Sequence, residues 1–594
     1  MKSRSRYLWL ASSALMASPA TAACTMSRIA ELPVMMEGMR PIVPATINGT
    51  EIKFLADSGA FFSLMPPSVA AQLGLKLEAT PLGFNMKGIG GSAPTAKTKV
   101  KSFGIAGSII PNVDFLVGGS DTGHGGLLGQ NLLGIADAEY DLAGGVIRLI
   151  RPQGCEKTNL AYWAGDKGVS TIDLVDTGTH NQHIIGFVMV NGIRMRAAFD
   201  TGAPTSMLTL KAAARAGVTP NDPDARPVGI TRGLGRNVSR SWIAPFKSFA
   251  VGDEQIANAR LRFADVSGGD FDMLIGADFF LSHRIFVANS IHRMFLTYNG
   301  GPVFDLSGTG KQAADAEASP AGIPSTDPVR NMIQPRDADG FARRGAAYAA
   351  RRDFEHAMPD LTRAIELAPN EPRYFYTRAS AWRANRQAIL SRLDLDAAIR
   401  LKPDYVEALM DRAVLHLAID ARAPAMADLD AAARAASSTG NIRIALAEIY
   451  SRADAYDLAI AQYSLWLSAH SRQDSRFPQA INGRCWARAM LGQALDKALE
   501  DCTIAVRAAP DAAGFLDSRG LVYLRMGDLD RAIADYDAAL KMQPKIAWSL
   551  YGRGLAKQRK GLKSEGDADI VAGLAIDPTI ARQAERYGVT APPK

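Results

Sequence analysis

The stretch Phe54-Leu55-Ala56-Asp57-Ser58-Gly59-Ala60-Phe61-Phe62 decides the reading of this chain, because a close copy returns as Ala197-Ala198-Phe199-Asp200-Thr201-Gly202-Ala203-Pro204-Thr205. Each copy follows an Asn-Gly pair, Asn48-Gly49 in the first and Asn191-Gly192 in the second, and Asn-Gly supplies the positive φ angles of a tight hairpin turn. The two Asn residues and the two Asp residues are both 143 positions apart, so the copy covers a whole supersecondary unit. Two further landmarks keep the same order. Lys87-Gly88-Ile89-Gly90-Gly91 returns as Arg232-Gly233-Leu234-Gly235-Arg236, and Leu127-Leu128-Gly129 returns as Leu274-Ile275-Gly276. Around them, apolar runs such as Ile42–Ile47, Ile52–Ala56, Val113–Val117 and Val146–Ile150 are broken by Gly and Pro, which predicts two all-β units, residues 24–158 and 159–300.

Working outward, 594 residues exceed what one hydrophobic core sustains, so several domains are expected. No internal run of about 18 or more apolar residues suggests a membrane span. The net charge of +7 is small for this length and contains no basic block that would track phosphates, which argues against nucleic acid as a partner. The first 23 residues carry Lys2, Arg4 and Arg6, then an apolar run from Tyr7, then Ala20-Thr21-Ala22-Ala23, the pattern of a secretory signal. A periplasmic or secreted location is expected, with no membrane span after cleavage. Lipid attachment at Cys24 is the alternative, although Thr21 stands where such sites carry Leu. The four cysteines, Cys24, Cys155, Cys485 and Cys502, suit an oxidising compartment and allow three connectivities. Cys24 with Cys155 would tie the two ends of the first β unit. None has His or acidic neighbours at metal-ligand spacing, so neither a metal nor another cofactor is expected.

At these residues the chain resembles the retropepsin-like and pepsin-like aspartic proteases, whose lobes each carry Asp-Thr/Ser-Gly, a glycine-containing flap and an apolar-apolar-Gly element. The resemblance spans roughly residues 30–300 and implies an internal pseudo-dimer of two lobes with Asp57 and Asp200 as one catalytic pair. It implies an active-site loop of Ser58, Gly59 and Ala60 facing Thr201, Gly202 and Ala203. It also implies flaps at Gly88, Ile89, Gly90, Gly91 and at Gly233, Leu234, Gly235, and supporting loops at Leu128, Gly129 and Ile275, Gly276. Two carboxylates about 3 Å apart cannot both ionise, so one serves as acid and the other as base. The reading is therefore an aspartic endopeptidase acting on a peptide or protein substrate. The alternative is a protease fold that has lost activity and binds peptides or serves as a scaffold. Two further Asp-Thr-Gly triplets, Asp121–Gly123 and Asp176–Gly178, lack the other landmarks and read as turns.

Residues 301–337 read as a linker, and helices follow. Prolines at 369 and 403, then at 510, 544 and 578, step by 34, and the intervening gap of 107 is three such periods plus five. This period resembles that of tetratricopeptide repeats, two antiparallel helices per unit, and gives seven repeats over residues 338–580 with a tail at 581–594. The repeats start at 338, 372, 406, 440, 479, 513 and 547, with the extra residues at Asp474–Pro478. The resemblance implies a groove that takes a protein or peptide partner. Position 7 is Arg344, Arg378, Arg412, Arg519 and Arg553 in five repeats, and position 23 is Asp360, Asp394, Asp428, Asp501, Asp535 and Asp569 in six. The fourth repeat loses both at once, to Leu446 and Gln462. Arg and Asp are therefore expected to meet within a repeat or between neighbours. In the fifth repeat position 7 is Cys485 and position 24 is Cys502, so these sulfurs are expected to face each other.

Overall fold

A computed structural model describes residues 24–304 and 335–589, except 82–83, 85, 94, 120–123, 157, 166–167, 178–182, 234–237, 267–269, 439 and 473. The signal reading, the Asp121–Gly123 triplet, Gly178, Leu234, Gly235 and most of the linker lie outside the described residues. The described chain has a β-rich region followed by paired helices.

Both Asn-Gly turns close hairpins as the sequence requires. Asn48 and Gly49 have φ of 51° and 85°, and Asn191 and Gly192 have 50° and 76°. The first joins strands Arg40–Ile47 and Thr50–Ala56, the second Ile185–Val190 and Ile193–Phe199. Each hairpin's second strand ends one residue before an Asp and pairs in parallel with the apolar-apolar-Gly strand of its own unit, Ala56 opposite Leu128 and Phe199 opposite Ile275. Phe54, Phe103 and Phe115 pack edge-to-face and stacked in the first unit, and Phe199 and Phe249 each pack edge-to-face on Phe279 in the second. The two units share a six-stranded sheet, whose order is Thr25–Pro33, Val146–Gln153, Asp137–Asp141, His283–Ala288, Arg293–Tyr298, Ser170–Asp173. The join is the antiparallel pairing of Ala138, Glu139 and Tyr140 with Val287, Phe286 and Ile285. Glu139, fully buried there, accepts from Arg148 at 2.6 Å and Arg284 at 2.7 Å, one arginine from each unit. The second unit extends past the expected boundary at residue 300, because Phe304 is buried with its ring 4.9 Å from that of Phe249.

The helices begin at Ala338, where the Asp337 side chain accepts from the Gly340 amide at 2.7 Å and caps the first turn. Seven helix pairs follow. The fourth and fifth first helices start at Ile442 and Phe477, two residues to either side of the expected 440 and 479. The added residues lie in the loop 470–476, and Pro478 opens the helix instead of the loop because its missing N–H costs nothing in a first turn. Every position-7 Arg reaches the position-23 Asp of its own repeat through Nε and Nη2, as in Arg344 to Asp360 at 2.6 and 2.8 Å and Arg412 to Asp428 at 2.9 and 2.6 Å. The remaining Nη1 of Arg412 and of Arg553 donates to the preceding repeat, to Asp396 at 2.8 Å and Asp537 at 2.7 Å. The pair therefore joins helices within a repeat and also ties neighbours. Where the pattern fails, a substitute acts: Arg443 donates to Gln462 at 2.7 Å in the fourth repeat, and Arg484 takes Asp501 at 2.8 Å in the fifth.

The freed position 7 holds Cys485, bonded to Cys502 with Cα atoms 5.5 Å apart, and Cys24 is bonded to Cys155 with Cα atoms 4.6 Å apart. Both sulfurs of the first pair are fully buried in the helical core. Cys485→Ser is expected to lower the stability of the array by roughly 3 kcal/mol, from the loop-closure entropy of a short loop. Urea unfolding followed by helical circular dichroism measures this. Unreduced peptide mapping that recovers Cys485 as a free thiol would overturn the pairing.

The array docks on the β region. Ala346 and Ala347 of the first helix join the β core, Met35 packs beside Ala342 and Tyr374, and Arg351 Nη2 donates to the Gly300 carbonyl at 2.5 Å. Within the expected tail from 581, the last helix, Ile580–Arg586, and Val589 pack on the array, where Ala584 and Val589 are buried.

Candidate functional site

The two Asp-containing loops meet face to face. Their main chains are locked by a reciprocal set of hydrogen bonds. The Ser58 amide donates to Thr201 Oγ1 at 3.0 Å, and the Thr201 amide donates to Ser58 Oγ at 2.9 Å. Each hydroxyl in turn donates into the strand before the opposite Asp, Ser58 Oγ to the Phe199 carbonyl at 2.9 Å and Thr201 Oγ1 to the Ala56 carbonyl at 2.8 Å. Both hydroxyl residues are fully buried, where an unmade hydrogen bond is costly, so the four bonds specify one arrangement of the loops.

That arrangement aims the carboxylates at each other. Asp57 Oδ1 accepts from the Gly59 amide at 3.0 Å and the Ala60 amide at 2.8 Å, and Asp200 Oδ1 accepts from Gly202 at 2.8 Å and Ala203 at 3.2 Å. Behind them the Asp57 amide donates to the Leu128 carbonyl at 3.0 Å and the Asp200 amide to that of Ile275 at 2.8 Å. Gly129 and Gly276 then give their amides to the hydroxyls of Ser63 and Ser206. Burial pushes the Asp57 carboxyl well above its usual range, and the neighbouring Asp200 charge and a hydrogen bond to Asp200 push it further. Burial also raises Asp200, against the bond from Asp57 and amides of both loops, which favour its charged form. Both carboxyls are thus biased toward holding a proton, and the two titrate as one pair. Such a pair offers one acid and one base within reach of a single water or carbonyl.

The glycine-rich segments approach one another. Strands Met86–Gly88 and Gly91–Ala93 form a small hairpin with Ile89 and Gly90 at its tip, and Gly233 lies against it, so that a β-carbon there would sit 2.9 Å from that of Ile89. Leu234 and Gly235 are outside the described residues. Ile89 also packs beside the apolar group of Ile185, Ala198 and Leu274 in the second unit.

One residue escaped the sequence reading. His183 faces Asp200 and hydrogen-bonds with the main chain of Gly59 in the other unit, and burial keeps its ring below the usual imidazole range. The available signal was positional: His183 stands 143 residues after Arg40, at the equivalent place in the duplicated unit. The two mates have diverged, for Arg40 lies beside Glu37 and Arg476 of the array. Among the described residues, no group of three or more His, Cys, Asp or Glu could hold a metal ion.

The duplicate also differs behind the loops. Asn131 Oδ1 accepts from the Ser63 hydroxyl at 2.8 Å, whereas the second unit has Asp278 accepting from the Ser206 hydroxyl at 2.6 Å. Burial raises Asp278 from the usual 3.8 to about 6, despite the bonds from Ser206 and the Phe279 amide. A raised folded-state carboxyl means that the folded chain binds more protons than the unfolded one. Stability therefore falls as pH rises from about 4 through about 6 and stays reduced above. Asp278→Asn is expected to be neutral at pH 4 and to stabilise by roughly 2–3 kcal/mol at pH 8, since each tenfold change in proton affinity is worth about 1.4 kcal/mol. Urea midpoints at the two pH values check this, and equal midpoint changes at both would refute it.

A family model described as aspartyl protease matches residues 43–132 and again residues 187–279, one match on each unit, and a TPR repeat model matches residues 520–561. Among solved structures, the array is similar to YrrB, described as a TPR protein with an unusual peptide-binding site, at 18% identity over 32% of this chain and 97% of that one, with a TM-score of 0.29. It is also similar to a tetratricopeptide repeat protein from Parabacteroides merdae ATCC 43184, at 15% identity over 42% of this chain and 98% of that one, with a TM-score of 0.34. A third is the TPR domain of P58(IPK), at 19% identity over 38% of this chain and 66% of that one, with a TM-score of 0.20. No curated protein matches the chain.

Proposed function

We propose that this chain, in which an aspartyl-protease double lobe is joined to a tetratricopeptide array, is a secreted or periplasmic endopeptidase whose array recruits protein or peptide substrates. The observation that carries the reading is the close approach of two loops, each of which fits only a glycine against the other's carboxylate. In the catalytic cycle the ionised member of the Asp57–Asp200 pair takes a proton from water as the water oxygen attacks the scissile carbonyl carbon. The protonated member gives its proton to the carbonyl oxygen. The tetrahedral intermediate then collapses, the C–N bond breaks, and the proton taken from water passes to the leaving nitrogen while the other carboxyl recovers its own. The two lobes act as an internal pseudo-dimer, a partner within the same chain being present at high effective concentration. The segments Gly88–Gly91 and Gly233–Gly235 serve as flaps that close over an extended strand and exclude water.

The two disulfides fit an oxidising compartment, where such bonds persist. Among the described residues no helix is long and apolar enough to cross a membrane. The experiment is incubation of the mature protein with a random peptide pool at several pH values, with mass spectrometry of the products. New termini that depend on both Asp57 and Asp200 support the endopeptidase. Binding of peptides without any cut at any pH would overturn it in favour of a binding scaffold.

A further inference from the structure

The C-terminal segment does more than cap the last repeat. Ile580 and Ala584 of the helix Ile580–Arg586 are fully buried, and that helix packs on both helices of the seventh repeat. These contacts complete the solenoid end. The next residues travel further, back to the fourth repeat, 132 residues earlier in sequence. Arg586 Nη1 pairs with Asp454 Oδ2 in the turn between that repeat's helices, where Arg422 also approaches at 3.9 Å. The Tyr587 ring stands edge-on to Tyr456, centroids 5.1 Å apart at 79°. Its carbonyl accepts from Arg525 Nη2, which also donates to the Met490 carbonyl at 2.9 Å, and Val589 is buried beyond it.

Three independent contacts of this kind, a cation on an acid, a ring on a ring and a main-chain carbonyl in a guanidinium, are those by which a surface reads a peptide. The side chain of Arg586 is 60% exposed and that of Asp454 26% exposed. An exposed ion pair contributes little, and ordering a chain end opposes it, so the Arg586 contact is the lightly held part of the segment and Val589 the buried one, and exchange begins at Arg586. We propose that Asp454, Tyr456 and Arg525 form a peptide-docking surface whose partner presents an arginine followed by an aromatic residue, and that residues 586–589 are its resident occupant. This deepens the recruiting role proposed for the array and is independent of peptide-bond cleavage. A resident occupant lowers apparent affinity by the fraction of time the surface is free, so its removal exposes the intrinsic affinity.

The probe is a fluorescent synthetic peptide of sequence Glu-Arg-Tyr-Gly-Val, added to the full chain and followed by anisotropy. The double variant Arg586→Glu, Tyr587→Ala, which keeps Ile580, Ala584 and Val589, is expected to bind it at least tenfold more tightly than the parent. Adding Asp454→Arg to that variant is expected to abolish the gain, and a probe with its Arg and Tyr replaced by Ala is expected to bind neither protein. Equal affinity of parent and double variant, or binding that survives Asp454→Arg, would overturn the proposal. A second readout needs no variant: in the parent, saturating probe is expected to speed hydrogen exchange at residues 586–589, and unchanged exchange would also overturn it. Concentration-dependent dimers of the parent with no effect of probe would overturn it in favour of segment exchange between copies. Peptidase turnover measured in parallel does not enter these readouts, so failure of the catalytic reading and failure of this one are distinguishable.

Discussion

Asp200→Asn and Asp57→Asn are each expected to lower turnover of a cleaved peptide by roughly a thousandfold or more, the scale of losing a positioned acid or base. KM is expected to change little, because the lost interactions are those made in the transition state. An amide at either position still accepts the two loop amides that fix the carboxyl, so the fold should survive, and the loss is then one of chemistry. The parent's activity should follow a bell in pH, since the working form carries one proton shared by the two carboxyls. The two limbs report macroscopic pKa values of the pair, and neither belongs to one residue. The alkaline limb marks loss of the pair's last proton and lies above the ordinary carboxylate range, because burial and the neighbouring carboxylate charge hold that proton in place. Rates of product formation by mass spectrometry across pH measure both limbs. Full activity of Asp200→Asn would remove the pair from the mechanism.

Duplication made the double lobe legible. A strand that carries Asp-Ser/Thr-Gly cannot be told from any other apolar strand ending in a turn. The same strand repeated with its Asn-Gly hairpin, its glycine-rich segment and its Leu/Ile-Gly element points to two loops built to meet. The array was legible for a similar reason, since proline spacing and the joint loss of Arg and Asp in the fourth repeat encode helix-to-helix contact. What escaped were contacts with no internal copy. His183 lies next to the pair only because the second unit folds across the first, and its mate Arg40 has been drawn toward the array. Arg484 replaces the missing position-7 arginine from one residue earlier, a shift that no position-by-position alignment of repeats would count. The C-terminal helix is short, and its burial depends on the repeats it returns to, which local sequence does not record.

Gly202→Ala tests the meeting of the loops itself, and it is expected to be more damaging to the fold than either Asp substitution. A β-carbon at Gly202 would lie 2.5 Å from Asp57 Oδ2, and one at Gly59 would lie 2.5 Å from Asp200 Oδ1. Neither glycine has a positive φ, so alanine could adopt the backbone of both, and the objection to it is space alone. The obstacle is not the far end of a flexible chain. Asp57 Oδ1 is held by the Gly59 and Ala60 amides, and the adjoining Ser58 and Thr201 are locked across the interface. One loop must therefore retreat by about an ångström, the four Ser58 and Thr201 bonds lengthen together, and buried hydroxyls lose their partners at roughly 1–3 kcal/mol each. A destabilisation of roughly 3 kcal/mol is expected, within the range of severe core substitutions, together with loss of nearly all turnover. Hydrogen exchange at residues 57–60 should rise to match, because the damage is transmitted to the opposite unit and not confined to the mutated one. The urea midpoint of Gly202→Ala against that of Asp200→Asn makes the comparison direct. A Gly202→Ala protein as stable as Asp200→Asn and still active would mean that the two loops do not depend on each other's contact.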